Sequence, residues 1–415
     1  MKTPIRTTAI LLWLTFVGEA LGAPPSGDVP RTWDDQGMAD LVVPLADPAA
    51  TPEHVPAEYY YRIPVRRIYR SYPVYHPEKE PAGYFADLLR RQPEVVWDDK
   101  DTRPTLETET DWIAAGEVVF DAALIFSANS LLGPSAASEL YVRDPKWFQQ
   151  TDAPTTPEGI LPYVRYVIRE QGKVEVGTLS CAMCHTRILP DGSVIKGAQG
   201  NFPFSKAFAY EIRDPHIIEP AYRGMLRSLY TVPWLPTDPQ EPLNGLPVDL
   251  VAAHFDAIPA GVIPRHGTGW WSPVQVPDLI GVQNRRYLDR TGLQRHRGHV
   301  DLMRYAALNQ GLDNLTTYGG RLLSGQTERA APEQFFEQRY SDEQLYALTE
   351  FVYSLRPPTN PFLPATEAQV ETVERGRDIF MASKNRCAVC HDPRQGYTNN
   401  KLVSATGFQI PRDHP

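Results

Sequence analysis

The chain is poor in cysteine, in basic charge and in long apolar runs. Four cysteines occur in 415 residues, and all four fall in two C-x-x-C pairs. A disulfide inside such a pair closes too short a loop to staple a fold. No cysteine remains to carry a lipid near the N-terminus. Lys and Arg number 41 against 50 Asp and Glu, a net charge of −9. That balance excludes the basic footprint of a nucleic-acid partner. The apolar run Thr7–Gly18 is well short of the ~20 residues that span a bilayer, and no later stretch is apolar enough. No transmembrane span is therefore expected beyond a signal sequence.

That short run reads as an export signal. Lys2 and Arg6 form a positive start, Thr7–Gly18 an apolar middle, and Ala20-Leu21-Gly22 a small-residue cleavage site. Residues 1–22 are predicted to be removed, with a periplasmic address for the rest. Proline, by contrast, is abundant at 40 residues. Residues 23–105 are rich in proline, tyrosine and charge, and read as an irregular N-terminal arm laid over a folded body. Arg66, Arg67 and Arg70 lie there among Tyr59, Tyr60, Tyr61, Tyr69, Tyr72 and Tyr75. In an acidic exported chain this is packing, not a nucleic-acid surface.

The cysteines carry the chemistry. Cys181-Ala-Met-Cys184-His185 and Cys387-Ala-Val-Cys390-His391 are both C-x-x-C-H, the attachment signature of c-type haem. Two thiols at this spacing can add to the two vinyl groups of one porphyrin, and the following imidazole can ligate its iron. A structural zinc site would place its C-x-x-C halves about 15–20 residues apart. Here roughly 200 residues intervene. A thioredoxin-like pair would not need a histidine twice at the same place.

Helical and strand patterns surround the motifs. A helix is predicted from Asp111 and another over Thr366–Ala382. They share Gly116-Glu-Val-Val-Phe120 and Gly376-Arg-Asp-Ile-Phe380, which put glycine and ring one turn apart on one side. Six residues separate Phe380 from Cys387, and sixty separate Phe120 from Cys181. Within the sixty, Tyr163–Arg169 and Lys173–Leu179 read as a hairpin around Gln171-Gly172, and Pro190-Asp191-Gly192 marks a second. A short helical patch is expected at Tyr84–Arg91. Ser341 and Gln344 are spaced as a capping box for a helix that ends before Pro357-Pro358. The expectation is a mainly α frame with small β-hairpin decorations.

These residues resemble the bacterial dihaem cytochromes c of the cytochrome c peroxidase-like superfamily. The two C-x-x-C-H strings, the G-x-x-x-F helices and the Ser341–Leu355 helix carry the resemblance over about 110–415. So does Val276-Pro277-Asp278-Leu279, similar to a stretch that precedes the distal side of haem in such proteins. The resemblance implies tandem cytochrome c-like domains, at 106–358 and 365–415, holding two covalently attached c-type haems. Cys181, Cys184, Cys387 and Cys390 would be the attachment points, and His185 and His391 the proximal iron ligands. Met303 is the leading candidate for the first iron's other face, with His296, His299 or an open face as alternatives. Peroxidase-like relatives often carry Y-F-H-D-G where this chain has Tyr287-Leu-Asp-Arg290-Thr-Gly292. Only 24 residues follow His391, so the second domain reads as incomplete. The function expected is electron transfer between periplasmic redox protein partners. Peroxide reduction and a haem-bearing subunit of a larger complex are the alternatives.

Overall fold

The computed structural model describes residues 29–39, 52–54, 56–127, 140–214, 223, 241–243, 245–265, 269–288, 295–308, 321–323, 338–360 and 362–400. The expected export signal (1–22), Asp289–Gly292 and residues 401–415 lie outside them. Among the described residues no helix is long and apolar enough to cross a membrane.

A four-stranded antiparallel sheet organises the middle of the chain. Its strands are β1 (Ser71–Tyr75), β2 (Ile125–Ser127), β3 (Ile160–Glu170) and β4 (Lys173–Thr178), in the order β1-β3-β4-β2. Strand β3 is buried almost continuously from Leu161 to Ile168, as a central strand covered on both faces requires. Gly172, at φ 85°, makes the β3–β4 turn. Pro73 is tolerated because β1 is an edge strand, where a missing N–H breaks no essential ladder bond. The second hairpin, β5 (Thr186–Ile188) and β6 (Val194–Lys196), follows the first motif directly.

The helical core lies beside the sheet. Helix α1 (Glu109–Asp121) begins at a capping box between Thr108 and Asp111. The first motif is itself a one-turn helix, α2 (Cys181–Cys184). Helix α3 (His299–Leu308) and helix α4 (Asp342–Ser354) complete the group, and α4 starts at the expected Ser341–Gln344 capping box. Helices α1 and α4 cross at Gly116, where a Cβ would collide with the Ala347 carbonyl and with Phe351. The Phe120 and Phe351 rings lie 5.1 Å apart, as do those of Trp112 and Tyr346.

Two expectations are corrected. A mainly α chain of tandem cytochrome c-like domains is not what forms: the described residues are mixed α/β, with five small sheets. The β3–β4 hairpin is no decoration, because it is the centre of the largest sheet. Its outer strands come from residues 71–75 and 125–127, so the sheet depends on pairings between distant segments that local periodicity does not reveal. Nor is the N-terminal segment only an irregular arm. Trp33, Tyr60 and Trp97 are almost wholly buried in the helical core, and Trp33 stacks on Tyr60 at 4.5 Å. Segment Ile68–Tyr69 also pairs with Val95–Trp97. Large aromatic rings bury enough apolar area to hold even proline-broken chain in a core.

The C-terminal segment contrasts with this. Helix α5 (Glu367–Met381) has a capping box at Thr366–Gln369 but no buried residue, and α6 (Cys387–Cys390) follows it. Asn400 ties the segment back: its side chain accepts from the Arg286 amide at 2.9 Å and donates to the Asn284 carbonyl at 3.4 Å.

Candidate haem-attachment sites

Both motifs fold alike at the local level. In each, a single helical turn brings the two cysteines to one side, and the histidine N–H bonds the first cysteine's carbonyl at 2.9 Å. A left-handed residue precedes each turn, Leu179 at φ 57° ahead of the Ser180 cap and Arg386 at φ 58° at the cap itself. Side chains other than glycine rarely adopt that conformation, and it marks sites that surrounding structure holds in place. At the first motif Ser180 caps the turn by accepting from the Met183 amide at 3.2 Å.

The histidines are oriented in the same way. His185 Nδ1 lies 2.9 Å from the Pro277 carbonyl, and His391 Nδ1 lies 3.2 Å from the Tyr397 carbonyl. A carbonyl can only accept, so each Nδ1 carries the proton. Nε2 is then the nitrogen with a lone pair to offer a metal. Pro277 belongs to the Val-Pro-Asp-Leu stretch noticed in the sequence, and its carbonyl meets His185.

Tight backbone packing seats the first motif. The His185 carbonyl accepts from the Gly197 amide at 2.7 Å, and the Gly197 carbonyl accepts from the Leu279 amide at 2.6 Å. A Cβ at Gly200 would strike the Cys184 carbonyl. Ala182 enters the helical core while Met183 enters the core beside the sheet, so α2 joins the two. An apolar crevice lined by Met183, Phe202, Phe204, Ile263 and Val276 opens at Cys184.

The environment of Cys181 runs against a thiolate metal ligand or a redox thiol. None of the four cysteines is in a disulfide. Burial, and then the neighbouring Cys184, push the Cys181 thiol up to about 12. Thiolate ligands and redox cysteines need the opposite shift. Among the described residues no group of three or more His, Cys, Asp or Glu is placed to hold a metal ion, so the two C-x-x-C pairs do not converge. Beside Cys181, Asp121 is held by Lys196 at 2.8 Å and by Arg165 at 2.8 Å, while Lys196 also reaches Glu117 at 2.9 Å.

The three side chains expected from the sequence as further ligands at the first motif are unequally placed. Met303 on α3 is fully buried in the cluster that also takes Ala182 and Cys181. His296 has both ring nitrogens engaged: Nδ1 donates to the Arg285 carbonyl at 2.8 Å, and Nε2 accepts from the Tyr353 hydroxyl at 2.6 Å. His299 Nε2 lies 2.8 Å from Glu350 Oε1, and its ring stacks on Tyr346. Sequence reasoning missed the Pro277 and Tyr397 carbonyls and the left-handed entry residues. Only the Val-Pro-x-Leu pattern signalled any of these.

Compared with known proteins, the chain matches no family, no curated sequence and no solved structure.

Proposed function

We propose that this chain is an exported c-type haem protein that carries electrons between redox protein partners. The observation that supports the reading best is the shared motif geometry. Twice, far apart in sequence, two cysteines on one turn precede a histidine whose Nδ1 is bound to a backbone carbonyl. Cys181 and Cys184 would hold one haem and Cys387 and Cys390 the other, with His185 and His391 as iron ligands. Bound haem supplies a one-electron ferric–ferrous couple, and the second ligand, burial and nearby charge set its potential. The hydrogen bond to Nδ1 would fix each ring's tautomer and raise its basicity.

The direct test is the mass of the mature protein expressed with haem-attachment machinery. The expected mass is the polypeptide plus two haems, and the unmodified chain alone overturns the reading. A reduced spectrum with and without carbon monoxide then separates carrier from peroxide-reducing enzyme. Two six-coordinate irons without peroxide turnover leave the carrier. Exposure favours a haem-bearing subunit of a larger complex as the second reading, because Cys390 and His391 are exposed in the chain alone.

A further inference from the structure

Tyr353, near the end of α4, donates a short hydrogen bond of 2.6 Å to Nε2 of His296. The other ring nitrogen, Nδ1, donates to the Arg285 carbonyl at 2.8 Å. That second bond fixes the tautomer, so Nε2 aims a lone pair at the phenol proton. Short phenol bonds occur elsewhere in the fold, but to acceptors of a different kind. Tyr84 donates to the Pro73 carbonyl at 2.7 Å and Tyr163 to the Asn201 side-chain oxygen at 2.6 Å. Neither oxygen is a base near neutral pH. Tyr141 donates to Asp214 at 2.6 Å, and a carboxylate is a weaker base than imidazole. Of these four acceptors, His296 takes a proton most readily.

The surroundings permit that transfer only when an electron leaves. Burial, with Glu350 and Asp301 adding to it, pushes the Tyr353 phenol up, so no phenolate forms at rest. Burial also holds His296 below its ordinary value, neutral and able to accept, while Asp301 favours the charged ring once a proton arrives. A phenol that has lost an electron is a strong acid, and its proton must go to a base at hand. Neighbouring rings supply a path for the electron. His299 lies 4.9 Å from Tyr353 and 5.3 Å from Tyr346, which in turn meets Trp112 in the helical core.

We propose that Tyr353 is a redox-active tyrosine and that His296 is its proton acceptor. A strong one-electron oxidant takes an electron from the Tyr353 ring; the Oη–H bond breaks as an Nε2–H bond forms. The products are a neutral tyrosyl radical, an imidazolium and the oxidant reduced by one electron. An electron returned by a one-electron donor reverses both changes. Neither bound haem nor peroxide is needed for this step.

The test is flash photo-oxidation of the mature full-length protein by a ruthenium(III) polypyridyl complex, read by electron paramagnetic resonance. One tyrosyl radical is expected to outlast those on exposed phenols such as Tyr397. Tyr353→Phe, which removes one hydroxyl, should abolish it, and Tyr84→Phe should leave it unchanged. The amide of His296→Gln can still accept the phenol hydrogen bond but cannot take the proton. That variant is expected to form the radical about a hundredfold more slowly, or slower still. In the unsubstituted protein, isotope-labelled histidine should show an imidazole nitrogen coupled to the radical. A long-lived radical that survives Tyr353→Phe, equally fast formation in His296→Gln, or a radical without nitrogen coupling overturns the proposal. So does the absence of any long-lived radical in the unsubstituted protein.

Discussion

Helices α1 and α5 start from the same local code and end in opposite environments. Both begin at a threonine cap, carry G-x-x-x-F and lead toward a C-x-x-C-H turn. Yet α1 buries Trp112, Ala115, Gly116, Val119 and Phe120, whereas α5 buries nothing. The two motif turns keep the same form all the same, with a left-handed entry, one helical turn and an imidazole on a carbonyl. The geometry of the C-x-x-C-H turn is therefore local, set by a few backbone hydrogen bonds. Burial is a tertiary property, and for α1 it comes from α4. A second difference lies in the carbonyl that orients each histidine. Pro277 is 92 residues from His185, while Tyr397 is six residues from His391. The first site is clamped by distant chain, the second by its own loop.

Paired truncations should break the comparison most sharply. Phe120→Ala empties a packed core site and is expected to cost about 3–5 kcal/mol. Phe380→Ala, on a helix with no buried residue, should cost under about 1 kcal/mol. Denaturant unfolding of both variants checks this, and equal costs would remove the distinction. Next come the glycines. Gly116→Leu must force apart the backbones of α1 and α4, at about 3 kcal/mol. Gly376→Leu should instead gain up to about 1 kcal/mol of helix propensity. Thermal unfolding with far-UV detection gives both signs.

Hydrogen exchange gives a further contrast without mutation. Amides in the middle of α1 and α4 should exchange only through global opening, and those of α5 at least about tenfold faster. Uniform protection would show that α5 is covered.

The smallest effect is one of pH. Burial holds His296 below its ordinary value, despite its bond to the Arg285 carbonyl. The unfolded chain therefore binds a proton more readily than the folded one. Stability from this group is complete above the ordinary histidine range, at about pH 6.5, and is lost as pH falls toward the lower folded value. His296→Gln should flatten that part of the stability profile, read by urea midpoints between about pH 7 and 5. A profile unchanged by the substitution would show that other groups dominate there.

Much of the helical content could be read directly from the sequence. The capping residues Ser341 and Gln344 and the two G-x-x-x-F helices follow from short-range chemistry, and they form where the pattern put them. The four-stranded sheet could not be read in the same way. Strand β2 is three residues long and β1 holds a proline, so neither has a period to recognise. Their pairing with β4 and β3 depends on contacts across about 50–90 residues, where burial and not local propensity decides strand formation. The site divides in the same manner. Cys181, Cys184, His185, Cys387, Cys390 and His391 could be named as candidates because C-x-x-C-H is a pattern of spacing alone, and each string forms one turn. The Pro277 carbonyl was not, since any residue supplies a carbonyl and only the fold brings this one to His185.

By itself, then, the sequence determined two C-x-x-C-H turns of similar form and the helices that lead to them, because a helical turn needs only neighbours within about four residues. Tertiary structure decided their inequality. A glycine and a phenylalanine one turn apart form a groove, and a groove becomes a core only when another element fills it. Ala347 and Phe351 do so for α1. No comparable contact reaches Gly376 of α5 among the described residues.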